Sequence, residues 1–214
     1  MKRSMVLMLA VTLAGFMMSA PAQAQTTDTV QDFYIVADIP QASSVSFVVS
    51  DVDPTNNKFY DHDGALSALT FSMSLNPSLG IYTPYRIFAI DVSTAGGAGN
   101  PDLALLYTDT NNPNADAGGN GLTHKGVATI QNVVGPEGSQ TVTDVAKARL
   151  GAISGSYDDL LFSGGFARII VGIATGNTDP QQGAVDPDGA EPFTNGDQPG
   201  EYRGTLQITA TLPG

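Results

Sequence analysis

From residue 205 to 212 the chain alternates without a break: Leu206, Ile208, Ala210 and Leu212 take one phase, and Thr205, Gln207, Thr209 and Thr211 take the other. A strand sends successive side chains to opposite faces, so a period of two sorts these residues into an apolar face and a polar one, which a helix would not do. The same pattern recurs upstream. Phe33, Ile35, Ala37 and Ile39 share a phase in 33–39; Val45, Phe47 and Val49 do so in 44–50; Leu69, Phe71, Met73 and Leu75 in 69–75; Phe88, Ile90 and Val92 in 85–92. Segments 103–108 and 127–134 are further strand candidates, and 166–175 is apolar in both phases, as suits a strand covered on both faces. Clusters of Gly, Pro, Asn and Asp separate these runs. One short helix is expected over 144–150, with Thr143 as its cap and Gly151 closing it. About eight strands between turn clusters predict an all-β fold, a single β-sandwich.

The N-terminus has the three-part layout of a secretion signal. Lys2 and Arg3 precede an apolar stretch over 5–18, and Ala22 and Ala24 are the small residues before a cut. The stretch is shorter than the roughly 20 apolar residues a bilayer-crossing helix needs, and Thr12 and Gly15 interrupt it. Cleavage after Ala24 is expected, leaving 1–24 as signal peptide. No later run is long enough to span a membrane, so an exported chain without membrane insertion is expected.

Loss of the leader removes Lys2 and Arg3 and no acidic residue, taking the formal charge from −12 to −14. Such a chain is repelled by nucleic acid, whose binding proteins displace counterions with basic surface. Exported domains often lean on disulfides, but there is no cysteine here. Stability must therefore come from one core and from strand pairing, and thiol chemistry is excluded. Two stretches, 94–126 and 176–200, are rich in Gly, Asn and Pro and read as surface insertions on one domain.

Little in the sequence points to catalysis. His62 and His124 sit in separate loops and read as solvated, without the three or four ligands of a zinc site. There is no nucleophile elbow and no phosphate-binding glycine loop. Carboxylates cluster at Asp51/Asp53/Asp61/Asp63, at Asp109 with Asn111, Asn114 and Asp116, and at Asp186/Asp188. Asp109, Asn111 and Asp116 are calcium candidates, since calcium takes oxygen ligands from flexible loops, although the spacing is not that of a calcium-binding helix-loop-helix. Turn formation by Asp and Asn is the other reading. No cofactor and no enzymatic activity are expected. An exported monomeric β-sandwich module binding carbohydrate or calcium stays open, but the chain has no Trp to present to a sugar.

The two ends carry more information. The run 33–39 follows a polar lead, 25–32, that has no reason to fold alone. The last strand runs to the C-terminus with one basic residue, Arg203, and a single proline, Pro213, to blunt its edge. Three patches now stand out: Phe33-Tyr34-Ile35-Val36-Ala37-Asp38-Ile39-Pro40, Tyr85-Arg86-Ile87-Phe88-Ala89-Ile90-Asp91-Val92 and Gly200-Glu201-Tyr202-Arg203-Gly204-Thr205-Leu206 with the strand after it. In these patches and their order the chain resembles major pilins of the alternate (alpha) class of chaperone-usher fimbriae, the colonisation-factor and common-pilus type, which also lack cysteine. It departs from them in the long insertions and in Ile39, where the family pattern has Asp before proline.

The resemblance implies an immunoglobulin-like sandwich lacking its final strand and completed by donor-strand exchange. Residues 25–40 would then be the donor segment and 41–214 the pilin domain. Phe33, Ile35, Ala37 and Ile39 would fill the groove of the next subunit, flanked by Tyr202, Leu206, Ile208, Ala210 and Leu212. The implied partners are identical or related pilin subunits, a periplasmic chaperone and an outer-membrane usher, and the implied destination is a surface fimbria that supports adhesion. Strand addition of this kind holds by main-chain hydrogen bonds and specifies by alternate side chains. Three large apolar anchors would contribute about 5–9 kcal/mol before ordering costs. The alternative is that 33–39 is simply the first strand of its own sandwich.

Overall fold

The computed structural model describes residues 34–38, 45–63, 69–94, 102–157, 165–179 and 184–211, with 34–38 described by backbone alone. The expected signal peptide, Phe33, Ile39 and Leu212 lie outside these residues. The fold is all-β and sandwich-like. Its strands are β1 (Tyr34–Asp38), β2 (Val45–Asp53), β3 (Lys58–Asp61), β4 (Leu69–Thr70), β5 (Met73–Asn76), β6 (Ile81–Pro84), β7 (Ile87–Thr94), β8 (Asp102–Asn111), β9 (Gly126–Val134), β10 (Thr141–Arg149), β11 (Gly155–Tyr157), β12 (Gly165–Ile173) and β13 (Arg203–Thr211). A single turn of helix, α1 (Leu122–Lys125), precedes β9.

Two sheets carry most of these strands. One has the order β11-β8-β13-β1-β4 and the other β10-β9-β12-β7-β2-β3, with β5 and β6 forming a separate hairpin. Among the described residues every pairing is antiparallel except that of β1 with β13.

The alternation read from sequence decides what is buried. Phe88, Ile90 and Val92 of β7, Ala128 and Ile130 of β9, and Ala167, Ile169 and Val171 of β12 meet Leu103 and Leu105 of β8 and Leu206 and Ile208 of β13 in one core. Aromatic rings join edge to face across it, with Phe71 and Phe88 centroids 4.9 Å apart. On the outer face of β12 the cover comes from the sheet itself. The Arg168 guanidinium stacks on Phe59 and Phe166, at 4.3 and 5.1 Å, and pairs with both oxygens of Asp91 at 2.7 and 2.8 Å.

Two expectations change. The helix over 144–150 is absent, because Thr141–Arg149 is strand β10, paired antiparallel with β9. The ladder satisfies a full row of β9 backbone groups, which outweighs the helical preference of Ala146-Lys147-Ala148-Arg149. A bulge between Asp144 and Ala146 breaks the alternation there. The run 69–75 alternates in burial but is two strands, β4 and β5, because the chain leaves the sheet at Phe71 and turns into the β5–β6 hairpin. Described residues of the expected surface insertion 176–200 are hydrogen-bonded at two places: Asp186 accepts from the backbone of Thr175 and Gly176, at 2.8 and 2.6 Å, and the Tyr82 amide donates to the Phe193 carbonyl at 2.8 Å.

Candidate functional site

The groove that the resemblance implies is flanked by β13, and the slot between β13 and β4 lies along that strand. The entry of β13 is firmly held. Tyr202, fully buried, donates its hydroxyl to the Gln198 carbonyl at 2.8 Å, four residues back, and its ring packs edge-on to Phe193 at 4.8 Å. Burial and the nearby Asp197 charge push the Tyr202 phenol well above its ordinary pKa, so it stays a donor. The Asn111 side chain donates to the Glu201 carbonyl. Two residues on, glycine is required: a Cβ at Gly204 would lie 1.9 Å from the Tyr107 hydroxyl. That hydroxyl donates to Asp109 at 2.7 Å, and burial together with this carboxylate raises its pKa steeply.

Beyond this entry, Leu206 and Ile208 are fully buried and Ala210 is half-buried, so these three of the flank residues named from sequence alternate toward the inner face, while Leu212 lies outside the described residues. On one side β13 pairs antiparallel with β8 from Arg203 to Thr211. On its other side it takes β1 of the same chain, in parallel, with Tyr34 opposite Arg203, Ile35 opposite Gly204, Val36 opposite Thr205, Ala37 opposite Leu206 and Asp38 opposite Gln207. The far side of β1 meets β4 at two positions only, Tyr34 with Thr70 and Ile35 with Leu69. Within the single chain, then, the opening strand lies in its own sheet. That is the arrangement of the alternative in which 33–39 is the first strand of its own sandwich.

The calcium candidates are not brought together as a ligand set. Asp109 accepts from the Tyr107 hydroxyl and from the Thr123 amide and hydroxyl, at 3.0 and 2.5 Å; Asn111 holds Glu201; Asp116 is exposed on the turn Ala115–Ala117. Among the described residues no group of three or more His, Asp or Glu side chains is placed to hold a metal ion. His62 is not solvated as its loop position suggested. Its side chain is 7% exposed, with Nδ1 2.6 Å from Asp51 and the ring edge-on to Phe88.

Two features were invisible in the sequence. Lys125, Asp197 and Asn114 form a buried polar node, in which Asp197 bonds both the Lys125 ammonium and the Asn114 amide. A groove of about 540 Å³ crosses the outer face of the six-stranded sheet, floored by Ile87, Val127 and Ile170. Three of its polar lining residues are engaged with the protein itself, since Asp144 accepts from Gln131 and Lys147 donates to the Val185 carbonyl. No aromatic ring stands among the described residues that line it. No described helix is long and apolar enough to cross a membrane.

Searches against protein-family models, curated proteins and solved structures return no match to this chain.

Proposed function

We propose that the protein is the structural subunit of a bacterial surface pilus, exported through the periplasm and polymerised by strand donation between copies to support adhesion. The observation that carries this reading is the composition of the slot beside β13. It is filled by the earliest described strand, through five backbone pairs, rather than by a strand from the middle of the fold. A strand at that position of the chain can be supplied by another copy with little change to the rest of the sandwich. Head-to-tail donation of this kind does not close on itself and builds an open fibre. The resemblance of the three sequence patches to alternate-class pilins supports the same reading, and with it a chaperone and an usher as assembly partners.

The test is strand replacement. The chain lacking residues 25–40 is refolded with and without a synthetic peptide of residues 29–39. The proposal expects cooperative folding only with the peptide, and a one-to-one complex that survives gel filtration. A truncated chain that folds alone and ignores the peptide would overturn it.

A second reading, an exported monomeric β-sandwich module, is favoured by the place of β1 in its own sheet. It predicts a monomer at every concentration.

A further inference from the structure

We propose that β1 is a self-cap: the chain's own opening strand occupies the slot beside β13 and has to leave it before a second copy can insert. The free subunit is thereby held back from polymerising. This rests on the fibre reading and adds to it a state in which the subunit blocks itself.

The pairing pattern makes β1 the replaceable strand of its sheet. It is held to β13 at five positions in parallel, whereas β8 holds the other side of β13 at nine positions, all antiparallel. Parallel pairing is slightly less stable per residue, so both length and geometry leave β1 the weaker partner. Its second neighbour adds two pairs, at Tyr34 and Ile35, and β4 itself is only two residues long. Among the described strands β1 comes first in the chain, so none of them has to unthread for it to leave.

The cap also closes late. Pairing Tyr34 with Arg203 joins positions near opposite ends of the chain, and contacts so far apart in sequence form only after the rest of the fold has brought them near. For that interval a folded slot stands open, and the chain's own strand competes there with the strand of any neighbour. Own-strand docking does not depend on protein concentration; insertion of a neighbour's strand does. Dilute subunits therefore cap themselves, and crowded ones exchange.

The chain has no cysteine, which makes a covalent lock easy to read. Val36 and Thr205 are register partners on adjacent strands, which stand about 4.8 Å apart, within the span of a disulfide. The mature chain carrying Val36→Cys and Thr205→Cys is purified as a dilute monomer and oxidised. It is then concentrated with and without reductant and followed by light scattering beside the wild type and each single variant. The self-cap predicts an internal disulfide, loss of polymer in the oxidised double variant, and polymer again after reduction. Polymerisation of the oxidised form as fast as the reduced form would overturn the cap and leave the fibre reading standing. Failure of the internal disulfide to form would overturn the parallel register on which the cap rests. Absence of polymer from wild type and reduced variants alike would overturn the fibre reading and the cap together.

Discussion

The Lys125 ammonium and the Asp197 carboxylate, 72 positions apart in the chain, meet at 2.9 Å with side chains only 5% and 11% exposed. Lys125 also donates to the Pro192 carbonyl at 3.2 Å and stands 4.9 Å from the centre of the Phe193 ring. Asn114 joins from a second loop, donating to Asp197 at 2.7 Å and accepting from the Gln198 amide at 2.7 Å. This node fastens the loop before β13 onto α1, and through Gln198 it fixes the residue on which the Tyr202 hydroxyl rests. Removing either charged member leaves a buried charge without its partner, which costs about 3–5 kcal/mol. Lys125→Met and Asp197→Asn are each expected to lower stability by that order in urea unfolding. The double variant should lose less than the sum of the two.

The same pair sets an acid limit. Burial alone would raise the Asp197 pKa, but the Thr194 amide, the Lys125 ammonium and the Asn114 amide outweigh it and hold the carboxyl below its ordinary 3.8. A group whose folded pKa lies below its unfolded value stabilises the fold above the unfolded value and loses that contribution as pH falls through the folded one. Stability should therefore fall below about pH 4 in the wild type, and less steeply in Asp197→Asn. Urea titrations at stepped pH would check this.

Gly204 lies where the Tyr107 hydroxyl leaves no room for a methyl group. Overpacking typically costs about 1–3 kcal/mol, and Gly204→Ala should reach at least that, because the Tyr107 hydroxyl is fixed on Asp109 and has nowhere to move. Pairing it with Tyr107→Val, which removes the obstructing ring, should cost less than the two single losses added together. Thermal melts of the four proteins give the comparison.

Arg168 works as a plane as much as a charge, stacked on two rings while it grips both Asp91 oxygens. Lysine keeps the charge but loses the fork and the stack. Arg168→Lys is expected to cost about 1.5–3 kcal/mol, the scale of a hydrogen bond to a charged group, and should be no milder than Arg168→Met by more than a small margin.

What the sequence disclosed, and what it hid, follows from the range of the forces involved. Strands β7 and β13 were legible because one phase stays apolar and is what the core buries, Phe88, Ile90 and Val92 in one and Leu206 and Ile208 in the other; β12 was legible as a run apolar in both phases, of which the core buries Ala167, Ile169 and Val171. Strand β10 was misread because Ala146, Lys147 and Ala148 favour a helix locally while a bulge at Asp144 hides the alternation, and only the distant edge of β9 decides between them. Strands β3, β6 and β11 are three or four residues long, too short to show a period. In the slot, the inner face of β13 was legible in advance. The Lys125 node was not, because Lys125 on α1 and Asn114 and Asp197 in separate turns lie in segments whose local sequence carries no sign of one another. His62 looked solvated for the same reason, since Asp51 and Phe88 reach it from other strands.

The account stands on the strand beside β13 being exchangeable between molecules. Its most direct measurement is the light-scattering mass of the mature chain across a concentration series, alone and with a second copy of residues 29–39 appended after Gly214 through a short turn. The account predicts growth to polymer for the mature chain and a fixed monomer mass with a raised melting temperature for the appended form. A mature chain that stays monomeric throughout, with a melt unchanged by deletion of residues 25–39, would contradict it.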